Sequence, residues 1–271
     1  MPVTITRVTH ACVLLDFDGQ RLLTDPWFSE RPGYRRGEPL ACTPQALPPL
    51  AGVLVSHGHY DHFDIDTFAA YPHHTVPLVV KRGLAAHARK AGFTHVTEAD
   101  AWETVKLGEL TVTAAPAAHG VPEVTFVIEG PGGTAFFGAD TLRIPELDQV
   151  AQRFPALDLA LLPVNGLQIR PAFLQPDSLT ARLARQPVNR FQVRPAINRP
   201  VVMTAEQAAD LCAVLKPRIA VPIHYRFTGG PVFDHLLLKY DGTPERFTAA
   251  ARSSAPATQV TVLEPGQPLT I

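Results

Sequence analysis

The stretch SHGHYDHFD at residues 56–64 restricts the fold more than any other part of the chain, because of what precedes it. It follows the apolar run VLV at residues 53–55, and a proline-rich segment lies upstream of that run. A short, fully apolar run between such boundaries is typical of a strand buried on both faces. We therefore expect the histidine-rich stretch at the carboxyl end of a buried strand.

The residue types in this stretch match the ligands of divalent metal ions. Imidazole and carboxylate groups suit borderline ions such as zinc, which need three or more converging ligands. His57 and His59 alternate along an extended segment and can reach one ion, while Asp61 and His62 lie past the bend and can reach a second. The alternative is a solvated turn that starts a helix, with Asp61 or Asp64 as its N-cap. A turn does not explain three histidines in six positions when the whole chain has 11 in 271.

Three further ligand types follow apolar runs later in the chain. They are His119 after residues 110–115, Asp140 after 134–137 and His224 after 219–223. Each alone could equally be a hydrogen-bonded core histidine or an aspartate in a turn. If these strand ends meet at one edge, however, they bring seven ligands together with the histidine-rich stretch.

The order of the predicted elements indicates the layers of the fold. Strands are predicted at residues 3–8, 12–17, 21–24, 51–55, 77–80, 104–115, 124–129, 134–137, 157–163 and 219–223. Helices are predicted at residues 64–71, 83–91, 144–154 and 204–215, the last with a capping box that begins at Thr204. Two β-rich blocks, each followed by alternating strands and helices, predict two sheets packed face to face with helices outside.

Composition limits the remaining possibilities. A chain of 271 residues that is 46% hydrophobic can bury one large core, so we expect a single domain over 1–271. The net charge of −1 gives no global attraction to nucleic acid. No run of about 18 apolar residues and no signal-peptide pattern occurs, which predicts a cytoplasmic protein without a membrane span.

With these motifs in place, the sequence resembles the metallo-β-lactamase fold superfamily. Its HxHxDH signature corresponds to HGHYDH at residues 57–62. The segments THACVLLDFDG, LLTDPWF and VPIHYRF are most similar to the small cytosolic metal-dependent hydrolases. That branch includes ascorbate-6-phosphate lactonases and the phospholipase D that acts on N-acyl phosphatidylethanolamines. The resemblance implies an α/β (α+β) fold, a four-layer αββα sandwich of two mixed sheets.

The resemblance also implies a role for each candidate residue. The first metal would be held by His57, His59 and His119. The second would be held by Asp61, His62 and His224, and Asp140 would bridge both. Asp61 would also be catalytic, because it would orient a metal-bridging hydroxide and relay its proton. His10 and Asp25 would hydrogen-bond to the ligands. We expect two divalent ions, with zinc favoured and manganese or iron possible.

An insertion at about 167–200 departs from the family pattern. Between residues 170 and 199 it carries six arginines and one acid. As a lid, it could hold a phosphate or carboxylate through arginines such as Arg170, Arg190 and Arg194. It could instead form a homo-oligomer contact or be a solvated loop. Tyr60 and Tyr225 flank the ligands and are further candidates for substrate contact.

These observations predict a dinuclear metal-dependent hydrolase of a small anionic ester, lactone or phosphodiester. Two alternatives stay open. One is a non-catalytic metal-binding or ligand-sensing protein of the same fold. The other is a nuclease that grips its substrate with the arginine-rich insertion, in which case its rate would fall steeply with salt.

Overall fold

A computed structural model describes residues 2–169 and 199–271 of the chain. The predictions for Arg170, Arg190 and Arg194, and most of the insertion, lie outside these ranges. Among the described residues, no helix is long and apolar enough to cross a membrane.

The first sheet has seven strands in the order β18-β1-β2-β3-β5-β6-β7. Its first half is antiparallel and its second half, from β3 onward, is parallel. A turn with positive φ at Asp18 and Gly19 joins β2 to β3. The strands are β1 Val3–Thr9, β2 Cys12–Phe17, β3 Gln20–Thr24, β5 Gly52–Val55, β6 Leu78–Lys81, β7 Val96–Ala99 and β18 Pro268–Thr270.

The second sheet also has seven strands, in the order β17-β14-β12-β11-β10-β9-β8. It likewise passes from an antiparallel half to a parallel half, at the β11–β12 pair. Both sheets are therefore mixed. The strands are β8 Thr104–Leu107, β9 Leu110–Pro116, β10 Val124–Gly130, β11 Gly133–Phe137, β12 Leu159–Pro163, β14 Ile219–Ile223 and β17 Gln259–Val260.

Two short antiparallel ribbons join segments that are distant in the chain. In one, β4 (Arg35–Arg36) pairs with β15 (Phe227–Thr228). In the other, β13 (Gln168–Ile169) pairs with β16 (Leu238–Lys239).

All the described helices except α5 cover the outer faces of the two sheets. Apolar side chains of the inner faces, such as Leu15, Phe126 and Phe137, form one core between the sheets. The outer face of the first sheet packs against α1 and α2, and that of the second against α3, α4 and α6. This arrangement confirms the αββα sandwich. The helices are α1 Ile65–Phe68, α2 Ala85–Lys90, α3 Asp148–Arg153, α4 Ala205–Leu215, α5 Pro231–Leu236 and α6 Pro244–Ser254.

Several predicted boundaries need correction. The predicted helix 64–71 is only α1, and Asp64 makes no side-chain cap, because its carboxylate accepts hydrogen bonds from Phe28 and Ser29 instead. The predicted strand 104–115 is the hairpin β8–β9, which turns at Gly108 with φ +61°. The predicted helix 144–154 begins with a 3-10 turn, Pro145–Leu147, before α3. The capping box at Thr204 is confirmed.

Candidate metal centre

The candidate ligands lie at strand ends on one edge of the sandwich. His57 follows β5 of the first sheet, whereas His119, Asp140 and His224 follow β9, β11 and β14 of the second. Parallel strands that share a direction place their carboxyl ends at the same edge, which explains why residues so distant in the chain meet. The structure brings all seven predicted ligands together, in two groups of four that also take in His10.

The first group consists of His57, His59, His119 and Asp140. Ligand atoms of these four residues all lie within 4.8 Å of one another. His59 Nδ1 is 3.0 Å from His57 Nε2 and 3.2 Å from His119 Nε2. This group contains the three histidines predicted for the first ion.

The second group consists of Asp61, His62, His224 and His10, again within 4.8 Å. Asp61 Oδ2 is 3.3 Å from His10 Nε2, 3.7 Å from His62 Nε2 and 3.9 Å from His224 Nε2. His10 was predicted to hydrogen-bond to a ligand, and its contact with Asp61 agrees with that prediction. The same nitrogen also lies close enough to act as a ligand.

Asp140 lies between the two groups. Its Oδ2 is 3.0 Å from His224 Nε2 and 3.2 Å from His62 Nε2. The same oxygen is 3.8 Å from His119 Nε2 and 3.9 Å from His57 Nε2. One carboxylate oxygen therefore faces two imidazoles from each group, which is the geometry expected of a bridging ligand.

Buried acceptors fix the far sides of several imidazole rings. Asp25 Oδ2 is 2.7 Å from His62 Nδ1, and the same carboxylate accepts the backbone N–H and the hydroxyl of Ser56. The carbonyl oxygen of Val201 is 2.7 Å from His119 Nδ1. With Nδ1 engaged in this way, Nε2 of each ring faces the cluster. Asp25 thus makes the contact predicted for it.

Sequence reasoning missed Glu123, which is buried beside the first group. Glu123 Oε1 accepts the backbone N–H of Asp140 at 2.9 Å and lies 3.2 Å from His57 Nδ1. The signal available was an acid four residues after His119 in the same loop. Sequence reasoning also missed Glu38, whose carboxylate accepts the backbone N–H of His10 at 2.6 Å.

The backbone around the centre adopts uncommon conformations. His10, Asp25 and His224 have φ values of 49°, 36° and 57°. This is the left-handed region, which non-glycine residues rarely occupy. Each of these residues comes directly after a strand, so the turn of the backbone aims its side chain at the cluster.

Burial and mutual repulsion keep most imidazoles neutral. Burial lowers the pKa of His119 to about 4 and, together with His224, the pKa of His10 to about 3. Burial also lowers the pKa values of His57 and His59. A neutral imidazole has the free lone pair that a metal ligand needs.

The charges of His62 and Asp140 are coupled. Burial would lower the pKa of His62, but the carboxylates of Asp140 and Asp61 raise it well above its ordinary value. Burial would raise the pKa of Asp140, but His224 and His62 lower it well below the usual range. In the metal-free protein the two residues therefore form a buried ion pair.

The donor set fits divalent metal ions. Asp140 Oδ2 lies close to Nε2 of His62 and His224, but no contact of these two nitrogens or of Asp140 Oδ1 with a described residue has the geometry of a hydrogen bond. Burying such groups without partners is costly, so each calls for an explanation. Imidazole nitrogen and carboxylate oxygen are ligands of zinc, manganese and iron. Metal ions at the two groups would satisfy these atoms.

A cavity of about 380 Å³ opens over the cluster, with His59, Asp61, His119, Asp140 and His224 in its lining. Tyr60 and Tyr225, predicted to contact substrate, are not among its lining residues. The Tyr60 hydroxyl contacts Ser29, and the Tyr225 hydroxyl accepts a hydrogen bond from Arg7.

Comparison with known proteins places the chain in a family. The model of the beta-lactamase superfamily domain matches residues 20–225. The chain belongs to the beta-lactamase superfamily. This match, together with the relatives described below, confirms the resemblance drawn from residues 57–62 and the later single ligands.

Curated relatives of this superfamily member match it over different lengths. A UPF0173 metal-dependent hydrolase of Methanopyrus kandleri is 24% identical and covers 97% of both chains. An uncharacterised protein of Mycobacterium tuberculosis is 34% identical over 58% of this chain, and the match spans 47% of that relative's length. An N-acyl-phosphatidylethanolamine-hydrolyzing phospholipase D of Caenorhabditis elegans is 28% identical over 61% of this chain and 54% of its own.

Among solved structures, the metallo hydrolase Igni18 of Ignicoccus hospitalis has the same fold. The TM-score is 0.71 at 19% sequence identity, and the match covers 100% of this chain and 99% of Igni18. Agreement along the whole chain confirms the predicted architecture.

Proposed function

We propose that the protein is a dinuclear metal-dependent hydrolase that acts on a small ester, lactone or phosphodiester. The family and a relative that matches over 97% of both chains and is named a metal-dependent hydrolase support the hydrolase part of this proposal. The number of ions and the substrate class are our proposal. The expectation of an anionic substrate depended on arginines outside the described residues and stays a prediction.

The position of Asp140 carries the proposal of two ions. Its Oδ2 faces His57 and His119 of the first group and His62 and His224 of the second, all within 4 Å. A single ion would leave one of the two groups, with its unpartnered buried atoms, without a function. We therefore assign His57, His59 and His119 to one ion, Asp61, His62 and His224 to the other, and Asp140 to both.

The candidate ligands and their neighbours have different roles in the proposed hydrolysis. Two bound divalent ions would lower the pKa of a water molecule and polarise the group under attack. Burial would raise the pKa of Asp61, but His62 and the contact with His10 lower it below the ordinary range. Asp61 is therefore ionised, and in the cavity lining it can orient a water molecule and accept its proton. Asp25 and Glu123 hold the imidazoles of His62 and His57 in position.

The donor set also favours certain metals. Five imidazoles and two carboxylates, one of them shared, suit zinc first, and manganese or iron second, whereas they do not suit calcium or magnesium, which prefer oxygen ligands.

The experiment combines metal counting with turnover. The purified protein is stripped with a chelator, reloaded with zinc, manganese or iron, and analysed by mass spectrometry of the elements. It is then assayed on a phosphodiester, a lactone and a carboxylic ester, beside His59→Ala and a control. The control is His87→Ala, because His87 is an exposed histidine that pairs with Asp66 and belongs to neither group of candidate ligands.

We expect two ions per chain and turnover of at least one substrate class. His59→Ala should lose most of the turnover, while His87→Ala keeps it. Two ions without turnover of any substrate would favour the non-catalytic alternative. One ion per chain at saturation would contradict the dinuclear assignment.

A further inference from the structure

The walls of the cavity differ in chemistry from its floor. The floor is formed by the candidate metal ligands. Apolar and aromatic side chains form the wall, namely Tyr34, Leu167, Ile169, Phe227, Phe233 and Leu238. Among the described residues that line the cavity, there is no lysine or arginine. The described wall therefore offers apolar surface and no cation to a bound molecule.

The two short ribbons build this wall and hold it against the centre. Phe227 of β15 stacks on the ring of His224, with the centroids 6.1 Å apart and the planes at 15°. Tyr34, just before β4, meets Phe227 edge to face at 5.8 Å. The second ribbon supplies Ile169 and Leu238. An apolar group of a substrate whose reacting atom lies at the metal ligands would thus contact these side chains.

Phe233 of α5 completes the wall across from a glycine. Gly33 has φ +85°, and a Cβ built on it would lie 3.8 Å from the Phe233 ring. The ring therefore packs close to a backbone position that has no side chain. Even so, Phe233 is 41% exposed and Ile169 is 42% exposed. Large apolar side chains that are this exposed beside a reaction centre indicate a surface that an apolar ligand covers.

Arg31, a described cationic side chain that contacts the wall, is already engaged in stacking. The Arg31 guanidinium stacks on the Tyr60 ring at 3.9 Å and on the Tyr34 ring at 4.7 Å. Such stacking holds the guanidinium against the aromatic faces.

We propose that the substrate carries an apolar group, an acyl chain or an aromatic ring, which occupies this wall while the scissile bond lies over the metal ligands. This inference rests on the proposed hydrolase function and deepens it. It favours an apolar ester over a compact, highly charged molecule as the preferred substrate.

The test measures dependence on chain length. The zinc-loaded protein is assayed with 4-nitrophenyl acetate, butyrate, hexanoate and octanoate, and with the mono-4-nitrophenyl ester of succinic acid. Burial of one methylene contributes enough to raise kcat/KM by about fourfold. We expect a rise of this order per methylene until the wall is filled, and faster hydrolysis of the butyrate than of the succinate ester, which has the same number of carbons and a carboxylate.

Matched variants locate the effect. Phe233→Ser removes an aromatic ring from the wall and should lower kcat/KM for the octanoate by about tenfold, which flattens the chain-length series. Val232→Ser is the control, because Val232 is 67% exposed on the same helix and does not line the cavity. It should leave the series unchanged. Equal slopes for the wild type and Phe233→Ser would overturn the assignment of the wall.

A binding measurement separates this inference from the proposed activity. Alkyl hydroxamates of two to eight carbons ligate a metal through the hydroxamate, and their alkyl chain would extend along the wall. Calorimetry on the zinc-loaded protein therefore measures the affinity of the wall for the chain as a Kd, without turnover. A Kd that falls by about fourfold per methylene supports the inference even if no ester is hydrolysed, in which case only the proposed activity fails. The inference would be overturned if esters are hydrolysed but neither Kd nor kcat/KM depends on chain length. It would also be overturned if the succinate ester is preferred. Either result would leave the proposed hydrolase activity intact.

Discussion

Arg7 and Glu38 form a buried ion pair beside the centre, with 2.6 Å between Nη2 and Oε1 and side chains 0% and 3% exposed. Glu38 also accepts the backbone N–H of His10, and Arg7 donates to the Tyr225 hydroxyl, next to His224. The rings of His10 and His224 are 4.0 Å apart. One ion pair thus contacts the backbone of His10 and the side chain of Tyr225, which follows His224.

We expect Arg7→Met to lower the free energy of unfolding by about 3 kcal/mol, because it leaves the buried carboxylate of Glu38 without its partner. Urea unfolding measures the change. Arg21→Met is the control, since Arg21 pairs with Asp16 on the surface at 2.7 Å and is 34% exposed. That pair should contribute at most about 1 kcal/mol. If the double variant Arg7→Met, Glu38→Leu is no more stable than Arg7→Met, the unpaired carboxylate is not the cause.

Asp25→Asn should weaken metal binding at the second group by about 10- to 100-fold, because the carboxylate that fixes His62 is lost. Competition with a chromogenic chelator measures the affinity. Asp64→Asn is the control, because Asp64 is also a buried carboxylate but accepts from Phe28 and Ser29 rather than from a ligand. Asp64→Asn should change the metal affinity by less than about threefold. Equal losses in the two variants would mean that Asp25 acts on the fold alone.

Protons and metal ions should compete for His62. Its folded-state pKa lies well above the ordinary value of about 6.5, so we expect the metal-free protein to hold this imidazole protonated at pH 7. The neutral states of His57 and His119 at the same pH follow from their lowered pKa values. Metal binding must release the proton of His62, so affinity at the second group should fall as the pH is lowered.

Nitrogen NMR of histidine-labelled, metal-free protein checks this directly. The two ring nitrogens of His62 should have the shifts of an imidazolium, and those of His57 and His119 should have the shifts of neutral rings. A neutral His62 at pH 7 would contradict the coupling with Asp140.

Removal of metal should destabilise the protein. The ligands join the two sheets, and metal bound only to the folded state adds about 4 kcal/mol when its free concentration is 1,000 times Kd. Differential scanning calorimetry with and without chelator measures the shift in Tm. The His59→Ala variant should show a smaller shift, because one site is impaired. An unchanged Tm after verified metal removal would show that the fold does not depend on the ions.

The sequence was sufficient to predict which side chains meet in the cluster because their positions follow from local rules. An apolar run followed by a ligand type recurs at β5, β9, β11 and β14, and the ends of parallel strands meet at one edge. The two-layer core followed from the same runs. These features depend on residue order alone.

Other features depend on contacts between distant segments and could not be predicted. Arg7 donates to the Tyr225 hydroxyl across 218 positions, and Tyr225, predicted to contact substrate, does not line the cavity. Glu38 lies in a proline-rich segment without a periodic pattern. Strands such as β18, of three residues, become strands only because an edge of the sheet accepts them.

The left-handed backbone at His10, Asp25 and His224 has a consequence for engineering. Each such residue costs about 1–2 kcal/mol relative to an ordinary conformation, and glycine would relieve that strain. A chain selected for stability alone would therefore favour glycine at these three positions, and it would lose two side chains of the cluster and the carboxylate that holds His62. Thermostabilising substitutions should be sought away from this edge of the sandwich, where stability and chemistry do not make opposite demands on the same residue.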